Sequence, residues 1–171
     1  FSAESIEEIP YIHVGAFKKI PLLTENMEIE HQRTLLSSAT SSGISSEITL
    51  DKKSSELQAR SVAAILGDFI GFEKRPLLVL DSSKSIIGRG GISARIAAAM
   101  SLQRFSSSTS FIIPDMSEMT KLDFEKIKVA AEESEDLLVY GFTWILWSAW
   151  GGSEELERIN EILSGKKVTF V

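Results

Sequence analysis

Residues 37–46 read Ser-Ser-Ala-Thr-Ser-Ser-Gly-Ile-Ser-Ser, a composition suited to holding phosphate oxygens. Phosphate binding needs backbone N–H groups that converge on one anion, and small residues let the chain curl closely around it. Hydroxyls at Ser38, Thr40, Ser41 and Ser42 add donors, and a threonine or serine hydroxyl can also touch magnesium. No Gly-Lys-Ser/Thr sequence closes the stretch, so it is not the phosphate loop of the P-loop NTPases. The commoner meaning of such a composition is a flexible surface loop. Strands expected on both sides strengthen the phosphate-holding reading.

Other residues offer less. Arg89 and Arg95 flank a glycine-containing stretch before a helix and suit either anion contacts or plain loop positions. The two histidines, His13 and His31, give little material for a metal site. Cysteine is absent, which excludes a disulfide framework, a thiolate zinc site and a cysteine nucleophile within these residues. Trp144, Trp147 and Trp150 recur at helical spacing and suit either helix core or an interface. Glu132, Glu133, Glu135 and Asp136 read as a solvated helix end.

The elements that must position these groups follow from periodicity. Residues 9–23 read as loop and short strand. Strands are predicted at 33–36 and 47–51, with the hydroxyl-rich loop between them. A helix at 54–70 carries Leu57, Val62, Ile65, Leu66 and Phe69 near one face and stops at Gly71. Short apolar runs at 76–81, 110–114 and 137–140 read as strands, the first and last of them buried. Helices are expected at 94–103 and at 124–134, the second capped by Asp123. Residues 142–150 open another helix. Ser153 caps a last one that Gly165 ends, and a strand begins at 168. Alternation of strand and helix from residue 54 onward predicts an α/β layered fold with a largely parallel sheet flanked by helices.

The 171 residues are 43% hydrophobic and 25% charged with a net charge of −6, which suits one soluble domain and argues against disorder and nucleic-acid binding. No apolar run approaches the roughly 20 residues of a membrane span. The first residue is Phe, and a strand stands at the end with nothing after it, so the chain is expected to be a fragment.

Several segments together resemble the acyl-protein synthetase family, which activates fatty acids in bacterial bioluminescence. They are Ile9-Pro10-Tyr11-Ile12-His13-Val14, Phe17-Lys18, Ser37-Ser38-Ala39-Thr40-Ser41-Ser42, and Ile48-Thr49-Leu50-Asp51 with Gln58 beyond it. A second matching region is Leu138-Val139-Tyr140-Gly141-Phe142-Thr143-Trp144. The family belongs to the adenylate-forming enzymes, so the resemblance implies that residues 1–171 are the N-terminal part of an acyl-adenylating domain. It implies ATP and magnesium as cofactors, a carboxylic acid as substrate, and a thiol acceptor on a protein cysteine or coenzyme A. Carried over residue by residue, Ser37, Ser38, Thr40, Ser41, Ser42 and Gly43 would bind the ATP phosphates, with Thr40 near the metal. Gly141, Phe142, Thr143 and Trp144 would wall an acyl pocket. No catalytic residue is assigned, Lys18 matches a family position without a role, and oligomeric state stays open. Ala39 and Ser42 stand where the family usually has glycine, and Gly43 supplies some of that backbone freedom. The implied enzyme is cytoplasmic, and these residues alone are expected not to turn over. Two rivals stand beside a fatty-acid ligase. One is a ligase for an aromatic acid; the other is a non-catalytic binding domain on the same fold.

Overall fold

The computed structural model describes residues 4–20, 22–23, 33–37, 44–86, 92–151 and 155–171. The predicted Ser153 cap, His31 and Arg89 lie outside them, as do loop residues 38–43.

Two sheets organise these residues. The larger has four strands in the order β5-β3-β6-β7, with β3 at Arg75–Val79, β5 at Ser106–Phe111, β6 at Asp136–Tyr140 and β7 at Lys167–Phe170. Every pairing in it is parallel. The smaller has the order β2-β1-β4, with β1 at Arg33–Leu36, β2 at Glu47–Leu50 and β4 at Ile92–Ser93. There β1 and β2 form an antiparallel hairpin, and β1 pairs in parallel with β4.

The two central strands of the larger sheet, β3 and β6, are buried on both faces, as their unbroken apolar runs predict. Side chains alternate across a strand, so Leu78, Leu80, Leu137 and Val139 belong to one core cluster. Ile127 of α3 (Phe124–Glu133) and Ile159 of α5 (Leu156–Ile162) pack into it, with Ile145 of α4 (Thr143–Ile145) and Trp150 of the π-helical turn that continues α4. Leu77, Val79, Leu138 and Tyr140 face the other cluster. Ala63 of α1 (Lys52–Ile70), Ala99 of α2 (Ala94–Ser101) and Phe105 close it. The result is the predicted α/β layering, helices on both faces of a parallel sheet.

Element ends follow local chemistry. α1 begins two residues before its predicted start, because the Asp51 carboxylate accepts the Ser54 N–H at 2.6 Å and caps the helix instead of extending β2. It ends at Gly71, whose φ of 78° suits glycine. Asp123 caps α3 as expected, accepting from the Lys126 N–H. β5 begins at Ser106, earlier than predicted. Its serine-rich sequence hides the pattern, and Ser107 and Ser108 spend their hydroxyls on Glu133 at 2.7 Å each. A 3-10 turn forms at Ile6–Glu8, and a second at Val14–Lys18 stands where loop and short strand were expected. His13 caps the second turn by accepting the Gly15 N–H on Nδ1 at 3.0 Å.

A charge clamp holds the amino ends of three strands. Arg75 is buried and reaches Asp136 at 3.3 Å, and Lys167 reaches the same carboxylate at 2.9 Å. Arg75 also donates to the Ile70 carbonyl that ends α1. Burial pushes the Asp136 carboxyl up, but Lys167 and Arg75 together outweigh it and hold it below the ordinary 3.8. A depressed folded value means that the clamp's contribution is full above pH about 4 and is lost as pH falls through the folded value. Urea midpoints measured downward from pH 5 should therefore fall, and Asp136→Asn should flatten that decline while lowering stability at neutral pH.

Candidate functional site

In open parallel sheets ligands gather at the carboxyl ends of the strands. Here those ends converge on Asp81, Gly141 and Val171. The Gly141 N–H donates to the Val171 carbonyl at 3.3 Å, and the Leu80 N–H to the Tyr140 carbonyl at 2.8 Å. Gly141 has no room for a side chain, since a Cβ there would sit 2.9 Å from Leu80 Cβ.

Asp81 is 2% exposed just past β3. Its carboxylate accepts from the Ser82 N–H at 2.8 Å, the Ser85 hydroxyl at 2.7 Å and Arg95 Nε at 2.9 Å. A buried carboxylate is tolerated only with such donors. The Tyr140 hydroxyl donates to the Arg95 carbonyl at 3.0 Å. Burial, helped by the charge of Asp81 and opposed by Arg95, pushes the Tyr140 phenol up to about 12. It therefore stays a neutral donor at physiological pH.

Arg95 lies in the first turn of α2, which Ser93 caps by accepting the Ile96 N–H. Ser93 is also the residue of β4 that registers with Leu36 of β1. The hydroxyl-rich loop springs from the next residue. Its base is closed twice: the Ser37 N–H donates to the Ser46 carbonyl at 3.0 Å, and the Ser46 N–H donates to Ser37 Oγ at 2.8 Å. Ser46 is buried at that base. The Asp81–Arg95 pair thus ties the sheet that carries the loop to the carboxyl end of the main sheet. Of the loop residues singled out by sequence, Ser37 stands at this base, while Ser38, Thr40, Ser41, Ser42 and Gly43 lie outside the described residues.

The aromatic residues past β6 divide. Phe142 is 39%, Trp144 51% and Trp147 76% exposed, whereas Trp150 is buried with its ring edge-on to Phe170 at 5.7 Å. A cavity of about 650 Å³ opens between α1 and α2, and none of Gly141, Phe142, Thr143 and Trp144 is among the described residues lining it. Leu35, Val62, Leu66, Ala97, Tyr140 and Val171 are among its walls, and no charged side chain is among the described residues lining it. Among the described residues no cluster of acidic or histidine side chains is placed to hold a metal ion.

The family model for acyl-protein synthetase, LuxE, matches residues 2–151. The chain belongs to the acyl-protein synthetase family. No curated protein and no solved structure matches it. Family membership makes it a ligase-type protein of acyl activation and transfer, as the resemblance implied. The matched span of this acyl-protein synthetase covers both the loop and the exit of β6 into Gly141. Among its described residues no helix is long and apolar enough to cross a membrane.

Sequence reasoning missed Asp81 as the centre of a network. An acid ending an apolar strand, followed by Ser82 and Ser83, was the available signal. Arg95, for which sequence left an anion contact and a plain loop position both open, stands in the first turn of α2 with its Nε committed to the protein's own carboxylate.

Proposed function

We propose that this chain binds ATP and a carboxylic acid for the first half-reaction of acyl transfer. The acid's carboxylate oxygen attacks the α-phosphorus of ATP, the bond to the β-phosphate oxygen breaks, and acyl-adenylate and pyrophosphate form. A thiol then attacks the acyl carbonyl, AMP leaves with the bonding pair, and the thiol proton passes to a base. The single observation supporting this reading is the family match over residues 2–151, which spans the loop and the strand exit together.

The loop's part is charge neutralisation and positioning. Its hydroxyls at Ser37, Ser38, Thr40, Ser41 and Ser42 and its main-chain N–H groups, with Gly43, suit triphosphate oxygens. Ser37 Oγ already accepts a bond at the loop base, which leaves its own O–H to donate. Magnesium would ride on the phosphates with Thr40 as a protein contact, since Asp81 is occupied by its own donors. Gly141, Phe142, Thr143 and Trp144 would flank the carboxyl end of the acid. No cysteine lies among the 171 residues, so the thiol comes from outside them. A cytoplasmic location belongs to the same reading.

The test is pyrophosphate exchange and MgATP titration on the full-length enzyme with a panel of fatty and aromatic acids. Exchange with fatty acids is expected, and Thr40→Val should weaken MgATP about tenfold or more, the scale of a lost charge-assisted hydrogen bond. Absence of MgATP affinity in the intact protein would sink the ligase reading. It would favour a binding-only domain, the reading that Ala39 and Ser42 at glycine positions support.

A further inference from the structure

We infer that the cavity between α1 and α2 receives the alkyl tail of the acid, and that the alanines of α2 set how long a tail it takes. This inference rests on the ligase reading and names a subsite within it.

Size and chemistry agree. The cavity's volume of about 650 Å³ falls in the range of small-molecule sites. Of its four polar members, Ser55, Gln58, Ser101 and Tyr140, the last two are committed to backbone carbonyls. The Ser101 hydroxyl donates back to the Ala98 carbonyl at 2.6 Å, and the Tyr140 hydroxyl donates to the Arg95 carbonyl. With no charge on its described walls and apolar side chains forming most of them, the space rewards an apolar group most. A carboxylate head would have to stay outside it.

Position supplies the direction. The walls include Tyr140, the residue before Gly141, and Val171, whose carbonyl accepts the Gly141 N–H. Leu35, two residues before Ser37, joins them. The cavity therefore borders both the strand tips and the strand that leads into the hydroxyl-rich loop. Along α1 the lining residues Ser55 to Leu66 span about 16 Å of helix. Such a slot suits an extended alkyl chain better than a ring. Its breadth arises because α2 presents Ala94, Ala97 and Ala98, with Ala59 opposite on α1. Larger residues at these places would fill it.

The experiment uses the full-length enzyme and equilibrium dialysis of labelled saturated acids from octanoate to stearate, with MgATP binding measured in parallel. Wild type is expected to bind palmitate more tightly than octanoate. Ala97→Leu and Ala98→Leu should weaken palmitate by tenfold or more and leave octanoate unchanged, because each excluded methylene costs roughly fourfold in affinity. Ile65→Ala opens the cavity from its exposed side without touching the core, so it should shift preference toward stearate even if the leucine variants fold poorly. Equal effects on all chain lengths, or none, overturn the assignment. If MgATP still binds in that case, the cavity assignment fails and the ligase reading stands. If the chain-length effect appears without any MgATP affinity, the ligase reading fails and the cavity stands as an alkyl site.

Discussion

Arg95→Ala is expected to destabilise the fold by about 3–5 kcal/mol, the cost of leaving a buried carboxylate without its cationic partner. Asp81 has a side chain only 3% exposed, so it cannot turn to water, whereas Arg95 at 30% is partly in solvent already. The value should fall at the lower end, because Ser82 and Ser85 still donate to the stranded carboxylate. Arg95→Lys should restore only part of the loss, since a lysine ammonium does not reproduce the flat Nε–H approach at 2.9 Å. Urea unfolding gives the stability change. Pyrophosphate exchange by the intact enzyme, run well below the unfolding midpoint, tests a second consequence. If the pair docks the small sheet against the large one, Arg95→Lys should lower exchange more than its modest instability accounts for. A stability loss under about 1 kcal/mol for the alanine variant would mean that solvent reaches Asp81 easily.

Phe105→Ala should cost about 3–5 kcal/mol as well, by a different route. The ring is wholly buried at the turn between α2 and β5, within the cluster that joins Leu77, Leu102 and Leu138. Phe72 lies against it with ring centroids 6.0 Å apart. Truncation removes contacts on every side. Collapse is hindered because Leu102, in the same cluster, already borders the α1–α2 cavity. Against a typical total of 5–15 kcal/mol, such a loss brings the chain near its unfolding threshold. Thermal melts should show a lowered midpoint, and Phe105→Leu should recover more than half of it. A shift equal to that of an exposed control such as Phe69→Ala, whose ring is 84% exposed, would place Phe105 outside the core.

Much of the fold was legible because its elements are simple in period. The runs at 76–81 and 137–140 are continuous and apolar, and only a strand buried on both faces needs that. α3 announced itself through Asp123 and its inner face. β5 was harder to see, since an edge strand paired on one side can be built of serine and threonine. The capping role of Asp51 was hidden by the alternation of β2, which runs directly into it. At the candidate site the hydroxyl-rich loop was visible from composition. The Asp81–Arg95–Tyr140 network was not, because it joins residues from three separate elements that only the topology brings together. Nor can a cavity be read from sequence. The small residues of α2 look like an ordinary packing face until their neighbours are known.

The two-residue strand β4 has a consequence for the order in which the molecule takes shape. β1 and β2 are made early in synthesis, but their third partner comes only after β3, and Arg95 only after that. A lone two-stranded hairpin is marginal in water. The pairing of Leu35 and Leu36 with Ile92 and Ser93 is therefore closed to the nascent chain until β3 has been made.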